Sequence, residues 1–228
     1  MGLSRRLLTL LVVPLLALIA TSAPGAGSAV AAPRVTAIPI AQARSLPLGT
    51  VVTVEGTVST PSGAFASSFG DKGFALQDRT AGIYVSLQTD VHASPCRHAR
   101  VTGTLRDSSG LLTLAPADPS GVELGARGRA VKPKRVSTAG IGEATEGRIV
   151  KVVGRIIQAP ASDLPYGYKF FVDDGSGAVQ IYVNLQTGIG VAGLQQGETV
   201  RVTGFSSQFG SHYEIDPRSP RDVEAVRA

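Results

Sequence analysis

The chain is written twice over. Residues 49–58 (GTVVTVEGTV) and 147–156 (GRIVKVVGRI) share one pattern 98 positions apart. Residues 83–89 and 181–187 differ at that same spacing only where Ser86 becomes Asn184. The run RVTG at 100–103 returns at 201–204, and residues 121–124 fall opposite 222–225. Ordered blocks at nearly constant spacing mark an internal duplication. A unit of about 90 residues is too long for a solenoid repeat and is the size of a small domain. Whatever fold one copy adopts, the other adopts too, so the sequence can be read twice for each element.

Within each copy the apolar period is two. Val52, Val54 and Val58 alternate with Thr53, Glu55 and Thr57, while Val150, Val152 and Ile156 alternate with Lys151, Val153 and Arg155. Ile83, Val85 and Leu87 alternate with Tyr84, Ser86 and Gln88, which predicts one buried and one solvated face. Gly56 and Gly154 interrupt the first strand of each copy, as a bulge or sharp bend requires. Hairpin turns are expected at 78–82 and at the Asp/Gly-rich 173–177. Five strands per copy follow: 49–59, 73–78, 82–88, 98–106 and 110–115, then 147–158, 168–173, 178–184, 198–206 and 211–216. The longer connection between third and fourth strands has room for a short helix. Residues 38–125 and 137–227 are the two domains, with 126–136 as a basic, extended linker.

The first 32 residues have the pattern of an export signal. Arg5 and Arg6 precede an apolar run from Leu7 to Ala20, and small residues around Ala29 to Ala32 offer a cleavage point. That run is shorter than the roughly 20 residues a bilayer span takes, and no later segment reads as a membrane span, so a secreted or envelope-exterior protein is expected. One cysteine, Cys96, permits no internal disulfide, which leaves packing to hold the fold. The 22 Lys and Arg against 17 Asp and Glu overstate the basic character. Arg5 and Arg6 belong to the signal, and Arg127, Arg129, Lys132, Lys134 and Arg135 crowd into one stretch. Outside both, acids outnumber bases by two, a near-neutral protein with a basic joint.

Val52-x-Val54-x-Gly56-x-Val58 and its copy at 150–156 resemble the first strand of the OB-fold nucleic-acid-binding family. Residues 74–78 with 82–85, and 170–174 with 180–183, look like its second and third strands, and Val101-Thr102-Gly103 and Val202-Thr203-Gly204 like its fourth. The resemblance covers nearly all of the chain beyond the signal, and in particular the pattern resembles tandem OB modules of secreted bacterial nucleases and other exported proteins. It implies an all-β fold of two tandem five-stranded OB-type β-barrels. It also implies a ligand face on strands two and three, flanked by the loops joining strands one to two and four to five.

On that face bases stack on aromatic rings while cations follow phosphates. In the second copy the alternation points Lys169, Phe171, Gln180, Tyr182 and Asn184 outward. The first loop brings Tyr166 and Tyr168, and the last loop brings Phe209 with His212 and Tyr213 beyond it. Lys151 and Arg155 share one face of the first strand. The first copy is poorer, with Tyr84 on its face, Phe65 and Phe69 in its loop, and Lys72 nearby. Lys132, Lys134 and Arg135 of the linker either clamp phosphates or keep a solvated spacer extended.

Other chemistry finds little footing. His92, Cys96 and His98 give three zinc-type ligands in one loop without a fourth, and Asp173, Asp174 and Ser176 read as a hairpin turn rather than a calcium site. No histidine has a nucleophile or carboxylate beside it in a catalytic arrangement, and no phosphate-cradling loop precedes a lysine. The expectation is a non-enzymatic protein without cofactor or metal. Its partner is single-stranded DNA or RNA, bound with little sequence preference, or else a protein or glycan at the cell envelope.

Overall fold

The computed structural model describes residues 35–226, which lie within one compact unit. The expected export signal lies outside the described residues. A five-residue helix, α1 (Ile40–Arg44), leads into β1 (Val51–Val58), β2 (Phe74–Gln77), β3 (Gly82–Val85), β4 (Arg97–Ser108), β5 (Leu111–Ala115) and β6 (Val122–Arg127). The second copy runs β7 (Lys134–Arg135), β8 (Ile149–Asp163), β9 (Gly167–Asp173), β10 (Val179–Asn184), β11 (Thr199–Phe209), β12 (His212–Asp216) and β13 (Val223–Ala225). In the first sheet β1 pairs β2, β2 pairs β3, β3 runs parallel to β5, β5 pairs β4, and β4 returns to β1. The second closes the same ring through β8, β9, β10, β12 and β11, with β10 parallel to β12. A five-stranded ring in this order is the OB barrel, present twice as the sequence pattern implied.

The strand glycines show why the rings close. Residues 51–57 of β1 pair with β4, and at Thr57 the strand begins to pair with β2. A Cβ on Gly56 would lie 2.8 Å from the Gln77 carbonyl oxygen, and one on Gly154 would lie 2.7 Å from that of Asp173. Each glycine lets neighbouring backbones come close where the strand changes partner, the bend anticipated from sequence. Each barrel has its own apolar core. Val52, Val54, Phe74, Ile83 and Leu105 belong to the first, and Val150, Val152, Phe170, Ile181 and Ile215 to the second.

Several features depart from the expected elements. Each ring carries an extra edge strand, β6 on β4 and β13 on β11, in the blocks at 121–124 and 222–225. They are short and largely exposed, so no alternation announces them. The expected helix between third and fourth strands is a single 3-10 turn, Leu185–Thr187, in the second copy only. Helix α1 went unread, and so did its counterpart, the 3-10 turn Thr138–Gly140. The basic stretch is not wholly free: Lys134 and Arg135 form β7, which runs parallel to β8 beside Val150 and Lys151. Thr53, placed on the solvated face by alternation, is buried, its hydroxyl 2.8 Å from that of Thr102.

The larger departure is that the barrels share a buried seam. Ala64, Phe65, Ala75, Tyr84 and Leu111 of the first copy form one cluster with Ile149 and Phe205 of the second. Phe205 stacks on Phe65 with ring centroids 5.9 Å apart and lies tilted against Tyr84 at 5.9 Å. Polar contacts frame the cluster. The Ile149 N–H donates to the Gln77 side chain at 2.9 Å, and Arg218 donates to the Ser59 carbonyl at 3.1 Å. Arg44 reaches Glu143 at 2.7 Å and Glu146 at 3.0 Å. Glu146 also accepts from the Leu112 N–H at 3.2 Å. Burial dominates at Glu146 and raises its carboxyl above the usual range, against the opposing pull of Arg44. The face of β2 and β3 expected to be solvated is therefore covered: β3 is buried along its whole length.

Candidate ligand-binding cleft

A cleft of about 710 Å³ opens beside the seam. Its floor is the outer face of β9, β10, β12 and β11, where alternation turns Lys169, Gln180, Tyr182, Glu214, Asp216 and Ser207 away from the second core. One wall is the β8–β9 loop, which passes through a cis Leu164–Pro165 peptide and carries Tyr166, 70% exposed. The β11–β12 turn supplies Phe209, 55% exposed, and His212. The opposite wall comes from the first barrel's β1–β2 loop, from Phe65 to Ser68 with Gly70, and from Ser108 and Leu111. A separate, smaller cleft of about 490 Å³ lies on the first barrel, lined by Phe69, Ser86, Gln88, Arg106 and Asp118 among others.

The ionisable groups on the floor are mostly acids. Tyr182 donates its hydroxyl to Asp163 at 2.9 Å, and Lys169 donates to the same carboxylate at 3.3 Å. Burial, then Asp163, hold the Tyr182 phenol well protonated. Glu214 accepts from the Gln180 amide at 2.6 Å, and burial pushes its carboxyl up to about 7. Asp216 is raised well above the usual range by burial and then by the charge of Glu214. Its Oδ1 is buried without a hydrogen-bond partner. Two carboxyls at alternate positions of one strand lie about 7 Å apart along it, close enough for each to resist ionisation of the other.

The residues singled out from sequence divide into three groups. Tyr166, Lys169, Tyr182 and Phe209 do converge on the cleft. Tyr84 reaches only its buried edge: it is 1% exposed, and its hydroxyl donates to Asp71 at 2.9 Å and to the Phe65 carbonyl at 3.2 Å. It offers no open ring because Phe205 covers it, which corrects its placement on a free face. Phe171 and Tyr213 are half-buried and outside the lining; Tyr213 packs against the second core and donates to Glu143 at 3.2 Å. The expected cations also lie elsewhere. Lys151 pairs with Thr203 and Arg155 with Thr199 on the β8–β11 side, Arg135 runs beside Lys151, and Lys132 and Lys134 are exposed. Aromatics and cations thus occupy different surfaces, apart from Lys169.

Asp163, Glu214 and Asp216 were missed. Glu214-Ile215-Asp216 alternates around a core isoleucine, so the pattern itself places both acids on the outer face. Nothing in the sequence shows that the neighbouring barrel would bury them. The hairpin aspartates are engaged locally. Asp173 accepts from the Gly175 and Gly177 N–H groups, and Asp174 bonds Thr138 and Ser176, whose hydroxyls lower its carboxyl to about 2. Among the described residues no three His, Cys, Asp or Glu side chains are placed to hold a metal ion, and no helix is long and apolar enough to cross a membrane.

No family model matches the chain. It is 25% identical over 185 residues to Endonuclease YhcR of Bacillus subtilis (strain 168), a match that takes in 77% of this chain and 15% of that protein. The chain therefore spans under a sixth of that relative's length. Among solved structures it is similar to a murine DNA binding protein bound with double-stranded DNA, at 13% identity over 77% of this chain and 96% of that one, with a TM-score of 0.39. It is also similar to the OB domain of MM0293 from Methanosarcina mazei, at 13% identity over 43% and 88% of the two chains, with a TM-score of 0.37.

Proposed function

We propose that this chain is an exported, non-catalytic binding module for single-stranded nucleic acid. In this reading bases enter the inter-barrel cleft and phosphates stay outside it. The observation that carries the reading is the convergence of Tyr166, Tyr182 and Phe209 around a cleft on the strand face of an OB barrel. Exposed rings at a cleft mouth give bases a platform, and base–aromatic stacking contributes about 1–3 kcal/mol per base. Lys169 is held by Asp163, so the one lysine of the cleft lining is already engaged and phosphates find little charge there. Lys151, Arg155, Lys134 and Arg135 supply charge on the neighbouring β7–β8–β11 surface instead. A relative named as an endonuclease supports nucleic acid as the ligand class; the match takes in a small part of it, and we read this part as binding rather than cutting.

The test is fluorescence anisotropy of labelled dT and U oligomers with the purified chain at low and physiological salt. Binding that weakens with salt and with Tyr166→Ala is the expected result. No binding at low salt and high protein concentration sinks the proposal. A second reading, an interaction module for a glycan or protein, is favoured by one observation: Asp163, Glu214 and Asp216 suit hydroxyl or ammonium donors at least as well as bases. Binding that is indifferent to salt would point that way.

A further inference from the structure

The floor of the cleft carries three carboxyl groups, Asp163, Glu214 and Asp216. Glu214 accepts a single side-chain bond, from Gln180. Asp216, 5% exposed, lies behind it with a bond from the Ser207 hydroxyl and Oδ1 buried. The lone lysine is engaged by Asp163, and the Gln208 amide donates to the Gly210 carbonyl at 3.0 Å. A carboxyl oxygen that faces a cleft without a donor is the kind of group that a bound ligand satisfies. Whatever fills this space must bring N–H or O–H groups to the floor and flat apolar surface to Tyr166 and Phe209.

We infer that the cleft selects guanine among the bases of a single strand, with Glu214 reading its pairing edge. The inference rests on the nucleic-acid reading above and names the base which that site prefers. The pairing edge of guanine presents its ring N–H and its exocyclic amino group side by side, two adjacent donors that match the two oxygens of a carboxylate. Adenine and cytosine offer one amino group beside a ring acceptor. Thymine and uracil offer one ring N–H between two carbonyl oxygens, which meet the carboxylate unfavourably. Single-stranded bases are read on these edges once they are unstacked and splayed onto aromatic side chains. Tyr166 and Phe209 supply the rings here, and Glu214 supplies the discrimination.

The experiment is anisotropy titration of labelled dT oligomers carrying one central guanine, hypoxanthine, adenine or cytosine, at fixed low salt and pH 8. Guanine is expected to bind about tenfold tighter than the all-dT strand, the gain of one well-made bidentate contact. Hypoxanthine keeps the ring N–H and lacks the amino group, so it should lose most of that gain. Glu214→Gln, which keeps the shape of the side chain, should bring the guanine-to-thymine ratio close to one. Oligomers that all bind with one affinity overturn the base preference and leave nucleic-acid binding intact. Failure of every oligomer to bind, with saturable binding of a neutral oligosaccharide instead, overturns both and gives the cleft to glycans.

Discussion

In the first barrel Tyr84 donates to Asp71 beside Gly73, and in the second Tyr182 donates to Asp163 beside Gly167. A Cβ on Gly73 would lie 2.6 Å from the Tyr84 ring, and one on Gly167 would lie 3.3 Å from that of Tyr182, so both glycines clear the same space. The device is duplicated, down to the carboxylate that fixes the hydroxyl. Its surroundings are not. Phe205 and Ile149 close over Tyr84 and make it part of a core, while Tyr182 stays at the floor of a cleft. Duplication copies strands, turns and hydrogen bonds, but the two copies cannot present the same face outward once one of them packs against the other.

The seam is the first place to break that comparison. Phe205→Ala removes a ring that touches Phe65 and Tyr84, and should cost about 3–5 kcal/mol in urea unfolding. The native chain should unfold in one transition, because the barrels share this cluster. Two separated transitions would show the barrels to be independent and make the burial of Tyr84 incidental. The next largest effect is at Arg44. Its side chain is 11% exposed and the Glu146 side chain 1%, so Arg44→Ala leaves a buried carboxylate facing only Glu143 and a backbone N–H. A loss of about 3 kcal/mol is expected, whereas an exposed ion pair would show under about 1.

How much of this was legible follows the same division. Much of what the ring strands do for their own barrel left a mark in the sequence: the alternation of Val150, Val152 and Ile156, the glycines at the bends, and the turn at 173–177. Features that depend on what lies across the seam left none. Tyr84 and Tyr182 sit in identical Ile-Tyr-Val runs, and no local pattern tells the covered ring from the open one. Lys151 and Arg155 lie opposite Thr203 and Thr199 of β11, and neither lines the cleft. The edge strands β6 and β13 stayed hidden because an exposed strand needs no apolar period.

The cleft acids sharpen the comparison through pH. Glu214 titrates at about 7 in the folded chain against an ordinary 4.5, and Asp216 is also raised. A carboxyl raised by folding favours the native state below its unfolded pKa, and that contribution is lost as pH rises through the folded value. Stability should therefore fall between pH 5 and 8, by about 1–3 kcal/mol from the cleft pair. The groups around Glu214 are Gln180, Asp163, Lys169, Asp216 and His212, so Glu214→Gln should flatten the profile without touching the seam. A profile unchanged by Glu214→Gln would mean that the acids are better hydrated than their burial indicates.

Tyr166 and the basic strip separate binding from folding, and they lie at opposite ends of the proposed contact. Tyr166 is 70% exposed, so Tyr166→Ala should shift stability by less than about 0.5 kcal/mol while weakening oligonucleotide binding by about 1–3 kcal/mol. The smallest expected change belongs to Lys134 and Arg135, which extend the sheet beside β8 but line no part of the cleft. If phosphates follow that edge, Arg135→Ala should lower the slope of log affinity against log salt by about one and weaken every oligomer alike. If the slope is unchanged while Lys169→Ala lowers it, the phosphates run over the floor despite its acids. Aromatic and cationic functions would then share one surface after all, and the division between barrel face and barrel edge would have to be redrawn.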